Sequence, residues 1–413
     1  MNQEQKRMVV GAAAAVAVLL TLTLVVRYLL RESSPPAVAQ SAQTEDPERQ
    51  PRRPVPASEF ADEQEPETET MSQAENLRTT NAATLYQQAF ALYDALSKDE
   101  KGLLVDWRTN VDASVEAELC EKVRPICDLM HQATAVTNCD WGIEPLTFDT
   151  KLPHLSPARA IARAAIWNAA HCRENDVTGA SEDVLSTLRL GKIVSSSALI
   201  GSLVDMAIQG TAESYVAANI GLFRGSESQQ LSVLLTDPAY EKVPSQALEQ
   251  EASIHERLIA KLASLPADQF EKQMSEVDEA FGESSPKMDR AAVLASLQQI
   301  VDSQRTLAKA LASGSEDEYE AWQKSSAELQ NSNPLAEMFF GSYDKYLDRA
   351  DRAAVNRALI VAGLAVAQDG PSALQSQLDP STGQPFVYTE TSDGFELQSG
   401  YKTNGVPLKM QFK

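Results

Sequence analysis

Along most of this chain apolar residues recur three or four positions apart, the spacing of a helix with one buried face. From Asn81 onward, Leu85, Ala89, Leu92 and Leu96 fall on one stripe, with Tyr86, Phe90 and Tyr93 beside it. A second helix is predicted from Asp112 to Ala135, bent at Pro125. An irregular stretch holding Gly142, Pro145 and Pro153 follows. Ser156-Pro157 then supplies an N-cap and a proline at the first helical position. Behind it Ala158, Ile161, Ala162, Ala165, Ile166 and Ala169 form an apolar face. This helix and one at Ser181–Ser196 make a hairpin of tetratricopeptide size. Further helices are predicted at Leu199–Ile220, Gln246–Leu265, Asp289–Ala312, Glu316–Gln330 and Leu335–Gln368. The run Ala198 to Phe223 carries Asp205, Gln209 and Glu213 one turn apart on one face, which marks an amphipathic or buried helix and not a membrane span. Gly201, Ala207 and Gly210 offer a neighbouring helix a close approach. No period repeats elsewhere, so the fold class is mainly α, an irregular bundle of helical hairpins, with a solenoid as the alternative.

The two ends depart from this pattern. Met8 to Val26 contains no charge, and with Arg27 tolerated the apolar run continues to Leu30. About 20 such residues cross a hydrocarbon core of roughly 30 Å. Residues 8–30 are therefore expected to be a single transmembrane helix in a bacterial cytoplasmic membrane. Residues 1–7 lie on the cytoplasmic side and the bulk of the chain on the exoplasmic side. The rival is a signal peptide cleaved after Ala37-Val38-Ala39, although Arg27, Arg31, Glu32 and Pro35-Pro36 separate that site from the apolar run. At the other end, Asp379 to Pro385 is turn chemistry. Phe386–Thr389 then reads as a strand, Ser392-Asp393-Gly394 as a hairpin turn and Phe395–Leu397 as its partner. Asn404-Gly405 is a further turn before Leu408–Phe412, so residues 371–413 are expected to form a small β-meander.

Composition sharpens this division. The chain carries a net charge of −22, and Lys6, Arg7, Arg27 and Arg31 against Glu4 place +3 of it in the first 31 residues, leaving −25 beyond. Such a surface repels phosphate backbones, so no nucleic-acid partner is expected. Between the span and the helices, residues 31–78 are rich in Pro, Glu, Gln and Ser, and they cannot bury enough apolar area to offset ordering. A coil of that length holds the helical region, residues 79–370, about 35–40 Å from the bilayer.

The segment Asp379-Pro380-x-Thr382-Gly383-x-Pro385-Phe386-x-Tyr388, followed by Asp393-Gly394-Phe395-x-Leu397, resembles the ending of a group of uncharacterised single-span bacterial envelope proteins. Leu152-Pro153-His154-Leu155 and the Ala/Arg-rich helix after it resemble the same group. The resemblance implies an envelope location and a helical exoplasmic region ending in this β-module, and it brings no activity. The tail also distantly resembles the C-terminal β-region of type II secretion pseudopilins, which raises an accessory role in a secretion or pilus-like machine. The N-terminus lacks the prepilin cleavage site of that family.

Four cysteines, Cys120, Cys127, Cys139 and Cys172, lie close together outside the span. An even number in an exported region points to disulfides. Cys120 and Cys127 are seven residues apart on one predicted helix, about 10.5 Å, beyond the roughly 7 Å a bridge spans. The preferred pairing is Cys120–Cys172 with Cys127–Cys139, and the alternative is Cys120–Cys139 with Cys127–Cys172. Cys127 and His131 also stand at i, i+4, and Cys139, His171 and Cys172 could complete a zinc site of an envelope enzyme, although the spacing matches no standard pattern. Asp128-x-x-His131 and Glu251-x-x-x-His255 do not make the duplicated motif of a dimetal bundle. No nucleophile elbow, phosphate-binding loop or His-Glu-x-x-His occurs. No catalytic residue, cofactor or metal is assigned. The function expected is a membrane-tethered, non-catalytic structural or protein-interaction scaffold with an unidentified protein partner. Trp141 and Trp167 are expected to pin the core.

Overall fold

In a computed structural model, the described residues are 81–173, 176–195, 198–281, 288–333 and 335–413. The expected span at Met8–Leu30, the Ala37-Val38-Ala39 site and the acidic linker lie outside them. Among the described residues no helix is long and apolar enough to cross a membrane.

The body is mainly helical with a C-terminal three-stranded antiparallel sheet. Its helices are α1 (Ala82–Asp94), α2 (Lys98–Leu103), α3 (Ala113–Thr134), α4 (Leu155–His171), α5 (Val177–Val194), α6 (Ala198–Ala218) and α7 (Ser226–Leu235). They continue with α8 (Ala239–Ser264), α9 (Ala267–Phe281), α10 (Arg290–Ser313), α11 (Glu316–Ser332) and α12 (Ala336–Asp369). Local chemistry sets many of these ends. Asn81, Asp176, Asp289 and Ser315 each cap a helix by accepting a backbone N–H of its first turn. Ser97 and Glu100 form a reciprocal capping box that starts α2, a helix with no buried residue. Gly314, at φ 64°, ends α10 in the left-handed conformation that a side chain disfavours.

Several expectations are corrected. The buried stripe of α1 is Ala82, Ala83, Tyr86, Ala89 and Phe90, whereas Leu92 is 40% exposed. Ala89 and Leu96 of the expected stripe are in the core and Leu85 packs against it, so only Leu92 turns to the rim. Ser156 does not cap α4, which begins at Leu155 after His154. Helix α8 begins at Ala239 and runs through Pro244. Gly210 faces open space, and the close approaches occur at glycines on neighbouring helices. A Cβ on Gly191 of α5 would stand 2.5 Å from Asp205 Oδ1, and one on Gly363 of α12 would stand 2.3 Å from the Phe412 ring.

Helix α6 is the hub. It packs against α4, α5, α8 and α12, and its apolar side chains enter several separate clusters. Ile200, Val204 and Ile208 join the core of α1, α3 and α4 around Trp167 and Met130. Ala212, Tyr215 and Val216 join the core shared with α12 and the sheet. Leu203 joins the core of α8, α10, α11 and α12 around Leu248, Trp322 and Phe340. A helix apolar on several faces belongs in the interior.

Strands β1 (Val387–Thr391), β2 (Gly394–Thr403) and β3 (Val406–Phe412) form the meander, paired in the order β1-β2-β3. Phe395 lies opposite Phe412 with ring centroids 4.9 Å apart, and Phe412 fills the space left at Gly363. The Lys413 amide donates to the Ala217 carbonyl at 3.1 Å, so the sheet rests on both α12 and α6. Asp379, 1% exposed, explains the turn motif before β1. One carboxylate oxygen accepts the Ser381 amide at 2.9 Å and its hydroxyl at 2.7 Å. The other accepts the Ser399 hydroxyl at 2.8 Å and the Gly400 amide at 2.7 Å. The β2–β3 register shifts between Gln398 and Lys402, which frees that stretch to turn to Asp379. Replacing Asp379 by Ala strips four hydrogen bonds from a charged acceptor. We expect a loss of about 3 kcal/mol in denaturant unfolding and early hydrogen exchange at Gly400. An unchanged midpoint would refute the clasp.

Candidate functional site

The cysteines and histidines singled out in the sequence gather around the ends of α3, α4 and α5. Cys120 on α3 and Cys172, which caps α4, form a disulfide with Cα atoms 5.7 Å apart. The expected partner bridge, Cys127–Cys139, is not formed, nor is the alternative Cys120–Cys139 with Cys127–Cys172. Cys127 and Cys139 are free thiols. Their surroundings explain this. Cys127 is buried beside Asp183, whereas Cys139 lies in the coil after α3, close to the Ala83 amide and Tyr86. Burial pushes the Cys127 thiol well up, and burial together with Asp140 pushes Cys139 up to about 11. Both shifts run opposite to what a nucleophilic thiolate needs.

Asp183 of α5 is fully buried and binds three helices together. Its Oδ1 lies 2.8 Å from His131 Nε2 on α3, and its Oδ2 accepts Asn168 Nδ2 on α4 at 2.6 Å. Arg173, just past α4, stands with Nε 3.5 Å from Oδ2 and donates to Asp176 at 2.8 Å. His171 faces Glu116 Oε1 at 2.7 Å through Nδ1 and the Trp107 carbonyl at 2.8 Å through Nε2. It stacks on Trp167 with centroids 4.5 Å apart. Three consecutive residues, His171, Cys172 and Arg173, therefore tie the end of α4 to α3, to the α2–α3 loop and to α5. Elsewhere His154 stacks on Trp141 at 4.5 Å, and burial pushes it down to about 4. His255 meets Gln304 at 3.0 Å and Glu251 at 3.7 Å. Asp128 points to solvent. Among the described residues no three His, Cys, Asp or Glu side chains are placed to hold a metal ion.

A second polar group, the Asp205, Gln209 and Glu213 face of α6, is enclosed and not solvated. Their exposures are 2%, 1% and 4%. Arg357 of α12 donates to Gln209 Oε1 at 3.0 Å and stacks over the Tyr240 ring of α8 at 4.7 Å. Lys192 of α5 also lies over Tyr240, and it pairs with Asp237. Asp205 Oδ1, Glu213 Oε1 and Tyr240 Oη have no hydrogen-bond partner among the described residues. Desolvation pushes Asp205 up to about 6 and Glu213 up to about 7, opposed in both cases by Arg357. No spacing rule names Arg357, which lies 148 residues from Gln209.

Comparison of the chain with family models, with curated proteins and with solved structures returns no match.

Two stability outcomes follow. Asp183→Ala leaves His131, Asn168 and Arg173 without their shared acceptor, and chemical denaturation should show a loss of about 3–5 kcal/mol. Replacing both Cys120 and Cys172 by Ser opens a loop closed across a separation of 52 residues. Chain entropy sets that loss at about 4 kcal/mol, and equal unfolding midpoints with and without reductant would contradict it.

Proposed function

We propose that this chain is a single-pass envelope protein held in a bacterial cytoplasmic membrane by Met8–Leu30. Its exported helical body is a non-catalytic structural or protein-interaction scaffold. The observation that carries this is the Cys120–Cys172 bridge, since disulfides persist in oxidising compartments and not in a reducing cytosol. The side chains with catalytic potential support the scaffold half. His131, His171 and His255 each bond a carboxylate, amide or carbonyl group of a neighbouring segment, and both free thiols are pushed up. The residues after Arg31 carry −25, a charge that attracts a partner with basic patches and is weakened by salt.

Alkaline carbonate washing should leave the full-length chain in the membrane pellet. Denaturing thiol labelling should then count two cysteines before reduction, Cys127 and Cys139, and four after it. Release by carbonate, or four reactive thiols without reductant, would overturn the proposal.

A further inference from the structure

The polar face of α6 has a charge imbalance that its packing makes consequential. Asp205 and Glu213 are enclosed carboxyl groups, and the cation facing both is Arg357 of α12. From α5 the facing charge is Lys192, which is engaged with Asp237 in the turn before α8. From α8 comes Tyr240, a ring over which Arg357 and Lys192 lie and whose hydroxyl adds no charge. Helix α4 meets a different side of α6, where the Tyr215 hydroxyl donates to the Ala169 carbonyl. Gln209, between the two carboxyl groups, donates to Asp205 and accepts from Arg357. With both carboxyl groups ionised, two buried negative charges would face one guanidinium that Gln209 already shares. A buried charge without a partner neutralises by holding a proton. Asp205 Oδ1 and Glu213 Oε1 have no hydrogen-bond partner among the described residues, so neither oxygen receives the donor that a buried anion needs.

We infer that the Asp205–Gln209–Glu213 face is a proton-linked latch: the helical body takes up a proton there as it closes α5, α8 and α12 around α6, and loosens when that proton leaves. The folded groups, at about 6 and about 7, stand above their unfolded values of 3.8 and 4.5. The folded state therefore binds more protons than the unfolded state throughout that interval. The stabilisation is full below the unfolded values and is lost as pH rises through the folded ones, so the body tightens in mild acid and weakens towards neutrality. Gly191 belongs to the device, because a side chain there would meet the Asp205 carboxyl group.

The test is thermal and denaturant unfolding of the full-length protein in detergent between about pH 5 and about pH 8, for wild type, Asp205→Asn, Glu213→Gln and the double variant. One unit of pKa displacement is a tenfold change in the folding constant, so the wild-type dependence should exceed that of the double variant by on the order of tenfold or more across the interval. Each single variant should remove part of it, with Glu213→Gln flattening the upper part. His154, pushed down to about 4, acts in the opposite direction, so the difference between variants is the quantity read. The same slope in wild type and double variant overturns the inference. If the double variant does not fold, a carboxyl-carbon NMR titration of Glu213 in the wild type decides. A midpoint near neutrality supports the latch, and a midpoint in the ordinary carboxyl range rejects it.

Discussion

A carboxylate sealed away from water has to obtain its hydrogen bonds from the protein, and in this chain Asp183 obtains them from several helices at once. His131 approaches from α3, Asn168 from within α4 and Arg173 from just beyond it. The group therefore ties those helices to one another through one shared acceptor. The disulfide lies one residue from Arg173, and His171 one residue before that. The covalent tie, the ion pair and the imidazole contacts thus act on one point of the chain. Helix α6 is built against α4 and α5 once they are held this way, and α8 and α12 are built in turn against α6.

Asp183 on one hand, and Asp205 with Glu213 on the other, are buried acidic residues with different surroundings. Asp183 is surrounded by His131, Asn168 and Arg173. Asp205 and Glu213 each keep one carboxylate oxygen without a hydrogen-bond partner among the described residues, and burial favours their neutral forms against the opposing charge of Arg357. Both lie on helices that contact α6 or belong to it.

How much of this could be read from sequence depended on range. Helices α3, α10 and α12 fall within a residue or two of their expected limits, because capping residues and a regular apolar stripe are local signals. The meander and its turns were equally legible, since Asp393-Gly394 and Asn404-Gly405 are hairpin chemistry. Helices α2 and α7 escaped because their apolar positions are too few to show a period, α7 burying Ser228, Leu231 and Leu235, whereas α9 was missed although Phe270, Met274, Val277 and Phe281 recur at helical spacing. Cys120–Cys172 was among the candidate pairings, but the position of Cys139 depends on the coil after α3, where spacing carries no directional information. Asp205, Gln209 and Glu213 stood out as one face. Nothing nearby in sequence shows that the face is enclosed, since its cover comes from α8 and α12.

Asn81 has a mechanical meaning beyond its capping of α1. Its side chain both donates to the Asp140 carbonyl at 2.6 Å and accepts the Asp140 amide at 2.9 Å, while the next amide, Ala82, donates to Asn138 at 2.9 Å. Tension entering from the preceding residues therefore does not peel the first helix away turn by turn. It loads these bonds together, in shear, and passes into the segment that leads to α4 and its covalent tie. A pull on the chain ahead of Asn81 meets two segments held together and not a lone helix end.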